Sequence, residues 1–483
     1  MKKVLSTGNG REGQSLVEIM IGLSLIVLGI GFASILVFGG EKILIDRGNA
    51  IQARQIAKAG LEAARSIRER DWNELADGVH GLAFGTSSWF FSGSADSDGF
   101  FTRTVTVSPS GENAKLVESK VSWNPDPLRT LSVKFTTLVT NWENATPPPD
   151  PGDTGGGGIS GDWRNPRTLG AVDLGPGNSA TDLDVINKII YMTAEASSQN
   201  KPDFFIINAT NGQNPIIVSN LAIPGVSGLA ALDVSGIYAF VIENNLPRIR
   251  IVDVSSITAP SLVQSYDLPE ATGDGMSVFY SGSRIFAGTE TSQNSDEFYI
   301  IDVSNPIVPT YLGSFNVNAD VNKIYVSGKT AYLATSADSG EMVVLDISNP
   351  ANIVELGRFN ATGSADGKSI FLSSSKQYLG RLSSSNRELQ ILDATDPANI
   401  LNVGFADLGG DLNDMYVRET LAFVGTSDSN NEFQVWDVSD PSVPTFWSSF
   451  NFPQVATGLD YEDNIVYVSV RSNDALRIIT SSP

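Results

Sequence analysis

The chain has 483 residues, more than one ordinary core accommodates, so two or three domains are expected. It has no cysteine, which excludes disulfides and thiolate metal sites, and its formal charge of −22 argues against nucleic acid as a partner. The acidity is concentrated after residue 159, where 37 acidic side chains stand against 17 basic ones; the first 13 residues instead carry Lys2, Lys3 and Arg11 against Glu12.

The first predicted element is an apolar run of 23 residues from Leu16 to Phe38, long enough to cross a bilayer as a helix. Glu18 sits near its start, where a carboxylate costs roughly 2.5 to 3.5 kcal/mol. The segment before it, MKKVLSTGNGREG, is short and basic, and the only junction of small residues that suits cleavage, Gly13–Gln14, lies before the apolar run rather than after it. This arrangement resembles the type IV prepilin signal, in which a membrane peptidase cuts after a glycine and the apolar helix stays in the mature protein. The resemblance implies cleavage after Gly13, a new and methylated N-terminus at Gln14, and Glu18 as the fifth mature residue. In pilin filaments that glutamate sets register by facing the amino group of a neighbouring subunit, an attraction of roughly 4 kcal/mol at about 4 Å and an effective dielectric of 20. The sequence departs from the family at Gln14, where phenylalanine is commonest, and at Glu12.

An amphipathic helix to about residue 75 follows, with Ile56, Gly60, Ala63 and Ile67 on one stripe and the pairs Lys58–Glu62 and Arg65–Glu69 on the wet side. Three alternating runs from Phe101, Lys115 and Arg129 read as strands with one buried face, giving an antiparallel sheet over about 100–142. Helix and then sheet resembles a pilin head, and GLEAARSIRERDW resembles the PilV-type minor pilins. The expected module is therefore a leader at 1–13 and an α+β pilin unit at 14–142. Residues 143–161, ENATPPPDPGDTGGGGISG, are a Pro/Gly-rich linker.

From 162 to 483 an apolar strand ending in Asp or Asn recurs, with Asn208, Asp253, Asp302, Asp346, Asp393 and Asp437 spaced 44 to 49 residues apart. Three further short strands separate successive anchors. Four strands per unit of about 45 residues is the size of a propeller blade. The last unit lacks its outer strand, and NPRTLGAVDL at 165–174 matches the missing pattern, so the reading is an all-β propeller of seven blades closed by its N-terminal strand. The units resemble LVIVD-type repeats.

Catalysis is not expected. The single histidine, His80, precedes the propeller and reads as a surface or loop residue, so Ser–His–Asp, Cys–His and histidine–metal chemistry are excluded after residue 159. The recurring Asp is expected to accept hydrogen bonds from turn amides. DSDG at 96–99 has part of a calcium-loop pattern but lacks the downstream Glu, so no cofactor is expected, with calcium the only alternative. Asn144, Asn208 and Asn360 fit the glycosylation triplet.

Binding is instead expected in the loops between the second and third strands of the blades, on one face of the ring, at Glu195, Glu243, Asp296, Glu341, Arg387, Asp428 and Asp474. The function the sequence implies is a structural or adhesive subunit of a type IV pilus or related filament. Its partners would be other pilin subunits, the prepilin peptidase and assembly machinery, the cytoplasmic membrane before assembly, and an extracellular surface, glycan or protein. The alternatives are a pseudopilin of a type II-like secretion system and a propeller-decorated major pilin.

Overall fold

The computed structural model describes residues 49–140 and 158–483, apart from position 51 and short stretches at 69–71, 86–87, 111–113, 127–128, 197, 199–200, 227, 294 and 384–386. Gly13, Gln14, Glu18, the apolar run at 16–38 and most of the linker lie outside the described residues. Among the described residues no helix is long and apolar enough to cross a membrane. The chain divides into two compact units, Met1–Asn141 and Trp142–Pro483.

In the first unit residues 52–68 are helical and bury Ala53, Ile56, Ala57, Leu61, Ala64 and Ile67, the three- and four-residue spacing of one helix face. The face packs on Phe101, Val105, Val117, Val121 and Trp123. Gly60 permits the close approach, since a Cβ there would stand 2.3 Å from Ser119 Oγ. A separate 3-10 turn, Trp72–Glu74, occupies the end of the stretch expected to be helical. Strands Phe101–Pro109, Ala114–Asp126 and Arg129–Thr140 pair in succession, and Gly78–His80 and Asp96–Asp98 both pair with Phe101–Pro109. His80 lies in a short strand, stacked on Phe91, with Nε2 2.8 Å from the Ala76 carbonyl. Asp96 is committed to structure: it accepts from the Leu82 N–H at 2.7 Å and pairs with Arg103 at 2.9 Å.

The second unit contains seven four-stranded antiparallel sheets. Their innermost strands are Asn178–Ile186, Leu229–Ser235, Gly275–Ser281, Val321–Ser327, Gly367–Ser373, Leu412–Arg418 and Ala456–Glu462. Each innermost strand touches the next, and the last touches the first, so the ring closes. In the seventh sheet the fourth strand is Asp162–Val172, from the other end of the unit, antiparallel to Leu476–Ser482. Trp163 anchors it: the side chain is fully buried, the indole N–H donates to Asn464 Oδ1 at 3.0 Å, and the ring meets Phe423 edge-on at 4.6 Å.

Two repeated devices join neighbouring blades. On the outside, the fourth strand of one blade meets a turn carbonyl of the next. Glycine allows direct approach at Gly313, Gly357 and Gly404, where a Cβ would stand 1.8 to 2.0 Å from the carbonyl oxygens of Pro350, Pro397 and Pro441. Where glycine is absent a side chain donates instead: Ser219 to Ile257, Gln264 to Ile307 and Ser448 to Trp163, at 2.6 to 2.7 Å. On the inside, Asp184, Asp233 and Asp460 accept the backbone N–H of Val234, Tyr280 and Val185 in the following blade, each at 2.7 Å.

The recurring strand-end residues form tight local turns. Asp253, Asp302, Asp346, Asp393 and Asp437 each accept the backbone N–H two residues on at 2.8 to 3.0 Å, and Asn208 does the same for Thr210. These carboxylates are turn acceptors and not a ring of ligands.

Candidate functional site

Antiparallel order places the loops between second and third strands on the same face as the connectors between blades. At the centre of that face the innermost strands leave a channel whose mouth is a cavity of about 440 Å³. Two rings of positions build the mouth. One is the second residue of an innermost strand, Asn322, Lys368, Asn413 and Thr457, joined at the equivalent place by Thr181, the fourth residue of the longer strand Asn178–Ile186. The other lies at the end of the second strand, within it at Glu195 and just after it at Asn244, Glu290 and Arg471. Backbone hydrogen bonds hold this second ring to the connectors: Asn244, Glu290 and Arg471 donate to the carbonyls of Gly228, Asp274 and Val455 at 3.3, 2.8 and 2.9 Å.

Deeper in, a lumen of about 120 Å³ has two chemically different walls. Asp460, Asp184 and Asp233 stand on the seventh, first and second blades, at the position that Phe279, Tyr325, Phe371 and Tyr416 occupy on the third to sixth. The four rings contact one another in succession, with centroids 5.2, 5.5 and 4.8 Å apart. Above them Lys323 reaches across to Asp414 at 3.2 Å. Burial raises the Asp182 carboxyl to about 6; Lys323 opposes that shift and Asp414 adds to it. Lys323 is thus committed to the carboxylates that close the lumen below the mouth.

Of the seven loop residues singled out from sequence, the structure brings Glu195 to the mouth. Glu243 and Glu341 point inward and are buried. Glu243 pairs with Arg250 at 2.6 Å, and Glu341 accepts the Ala361 N–H at 2.7 Å. Asp296 accepts from Ser314 Oγ at 2.5 Å, and Arg387 lies over Phe405 at 4.1 Å. Asp428 accepts from the Asn430 N–H at 3.0 Å, and Asp474 pairs with Arg477 at 2.5 Å. These residues shape the loops rather than the mouth.

One recurring carboxylate position was not recognised as a set in the sequence, although Glu341, one of its members, was singled out there as a binding residue. The residue immediately before the third strand is acidic at Asp203, Glu297, Glu341, Glu388 and Glu432, and each accepts a backbone N–H from the residue 20 positions later, at 2.7 to 3.1 Å. Burial raises the pKa of Glu297 and Glu341, and lifts Asp203 to about 7. The device ties each connector to its blade. Lys368, Arg471 and Asp274, which line the mouth, were also missed: Lys368 sits in an inner strand, Asp274 in a connector just before one, and Arg471 opens the loop from which Asp474 was singled out instead. Among the described residues no group of three or more His, Cys, Asp or Glu is arranged to hold a metal ion.

These features define a β-propeller whose polar mouth opens on its loop face. The LVIVD repeat matches residues 230–268, 293–317, 319–361 and 409–452, so the chain carries LVIVD repeats within this unit. No curated protein matches the chain. Among solved structures, a chain of the mitotic checkpoint complex is similar at 14% identity and a TM-score of 0.51, covering 67% of this chain and 97% of that one. A catalytically inactive virginiamycin B lyase from Staphylococcus aureus with quinupristin is similar at 11% identity and a TM-score of 0.50, covering 65% of this chain and 99% of that one. Identities this low speak to the fold alone.

Proposed function

We propose that the chain is a type IV pilin-like subunit that carries its propeller outward as a binding module. The observation that carries this reading is the order Gly13, Gln14 and Glu18 ahead of an apolar run to Phe38, which accounts for a carboxylate in a segment that otherwise reads as a membrane helix. A helix packed on a small antiparallel sheet at 52–140 supports it, because a pilin head has the same order of elements. The binding role draws support from the open polar mouth and from the absence of histidine and cysteine after residue 159. After cleavage the subunit leaves the cytoplasmic membrane for an extracellular filament, with other pilins as neighbours and the loop face turned to its ligand.

The test is processing. In cells that assemble filaments, Gly13→Ala should leave a precursor about 13 residues heavier than the wild-type chain and absent from sheared surface material. Normal processing of that variant would overturn the prepilin reading.

A further inference from the structure

We infer that the channel mouth recognises a carboxylate-bearing saccharide, a uronic acid residue, with Lys368 and Arg471 as the anion-binding pair. The inference rests on the binding role proposed above and assigns that site its ligand class. Three cations line the mouth: Lys323, Lys368 and Arg471. Lys323 is taken up by Asp414. Lys368 and the Arg471 side chain make no ion pair or hydrogen bond among the described residues, although each has acidic groups in its surroundings. Three carboxylates face Lys368: Asp320 and Asp411 already accept the N–H groups of Thr291 and Ser383 at 2.9 and 2.7 Å, and Asp366 acts on Lys368 through its charge without an ion-pair contact. Burial and the nearby Arg471 both hold the Lys368 pKa below its ordinary value. A guanidinium and an ammonium set close together without a bridging carboxylate are arranged to share an incoming oxyanion.

The remainder of the mouth fixes the rest of the ligand. Between and beside the cations stand Asn322, Asn413 and Thr457, amide and hydroxyl groups that both donate and accept. On the first blade, beside the seventh, and on the third, Glu195, Asp274 and Glu290 offer acceptors suited to pairs of sugar hydroxyls. Among the described residues, apolar side chains line the mouth at Ala230, Ala231 and Met276, beside a larger set of polar and charged groups. A cavity of about 440 Å³ is of monosaccharide to disaccharide size. The unit's net charge of −20 over 159–483 repels dense polyanions such as nucleic acid or heavily sulfated chains, but tolerates one carboxylate placed on the two cations.

The test is calorimetry on the purified full chain with a galacturonic acid trisaccharide, the neutral galactose trisaccharide, a sulfated disaccharide and a short peptide with a free C-terminal carboxylate. The uronate should bind at least about tenfold more tightly than each of the others. Arg471→Met and Lys368→Met should each weaken it by about tenfold or more, while Arg471→Lys keeps part of the affinity. Thermal unfolding at the wild-type midpoint establishes that the variants are folded; if Lys368→Met is not, Lys368→Gln replaces it. Equal binding of the neutral sugar, tighter binding of the peptide or sulfated arm, unchanged affinity in both variants, or no uronate binding overturns the inference. Neutral sugar or peptide binding that Asn413→Ala abolishes would leave the display role standing while removing the charge assignment. Processing at Gly13 is scored independently of all four arms.

Discussion

Removing the anchor of the closing strand tests how the ring is held. Trp163→Ala deletes a fully buried indole, its hydrogen bond to Asn464 at 3.0 Å and its edge contact with Phe423 at 4.6 Å. Truncation of a core tryptophan costs about 3 to 5 kcal/mol. The loss falls on a strand that joins its sheet through one neighbour, Leu476–Ser482, so the strand has no second partner to keep it in place. Urea unfolding of residues 158–483, followed by tryptophan fluorescence and by circular dichroism, reads the cost directly. With an m value of about 3 kcal/mol/M, the midpoint should fall by roughly 1 M or more. Trp163→Phe, which keeps an aromatic ring against Phe423, should lose distinctly less. Deleting 159–174 altogether should expose the edge of Leu476–Ser482 and produce aggregation. A Trp163→Ala midpoint within about 0.2 M of wild type would refute the reasoning, since the closing strand would then contribute little to the ring.

Gly357→Ala places a Cβ 1.8 Å from the Pro397 carbonyl oxygen, so it should lower the melting temperature clearly; an unchanged thermal scan would show that blades can separate at that contact without cost. Asp182 holds its proton to about pH 6 in the folded chain but only to its ordinary value of 3.8 when unfolded, so wild-type stability should fall relative to Asp182→Asn as pH rises from about 4 to 6. Denaturation midpoints across that range check it, and a flat difference would contradict it. Glu18→Ala should be inserted and cleaved but enter filaments poorly, read by comparing membrane and sheared fractions; normal incorporation would remove the register argument. On the proposed pilin reading, a propeller unit roughly 50 Å across is wider than the axial spacing of packed pilin helices. The chain should therefore be a small fraction of sheared filament protein, and a dominant share would make it the shaft instead.

Much of the propeller was legible because two signals repeat in phase. The third strand is apolar on both faces, as in FYIID or MVVLD, and its terminal Asp makes the same turn each time. The closing strand was legible because Asp162–Val172 shares its pattern with the other fourth strands, down to Gly170 at the position of Gly313. The mouth was much less so. Its residues vary from blade to blade where the ring is asymmetric: Thr181, Met276, Asn322, Lys368 and Asn413 occupy equivalent positions, with threonine, methionine, asparagine and lysine all present. A charged residue near a loop also says little about where its side chain goes. Glu195 opens into the mouth, whereas Glu341, also at the end of a loop, turns inward to satisfy the Ala361 N–H. That choice depends on an unpaired amide 20 residues away, which no local pattern around the glutamate reveals. In the first unit, alternation located the three long strands, while the short strands at 78–80 and 96–98 lack enough residues to show a period.

The most direct measurement of the central claim is the N-terminal sequence of the chain recovered from sheared surface filaments. The account predicts a single N-terminus at Gln14, with Gly13 and everything before it removed. A chain that still begins at Met1, or one found only in the membrane pellet and never in the sheared fraction, would contradict it.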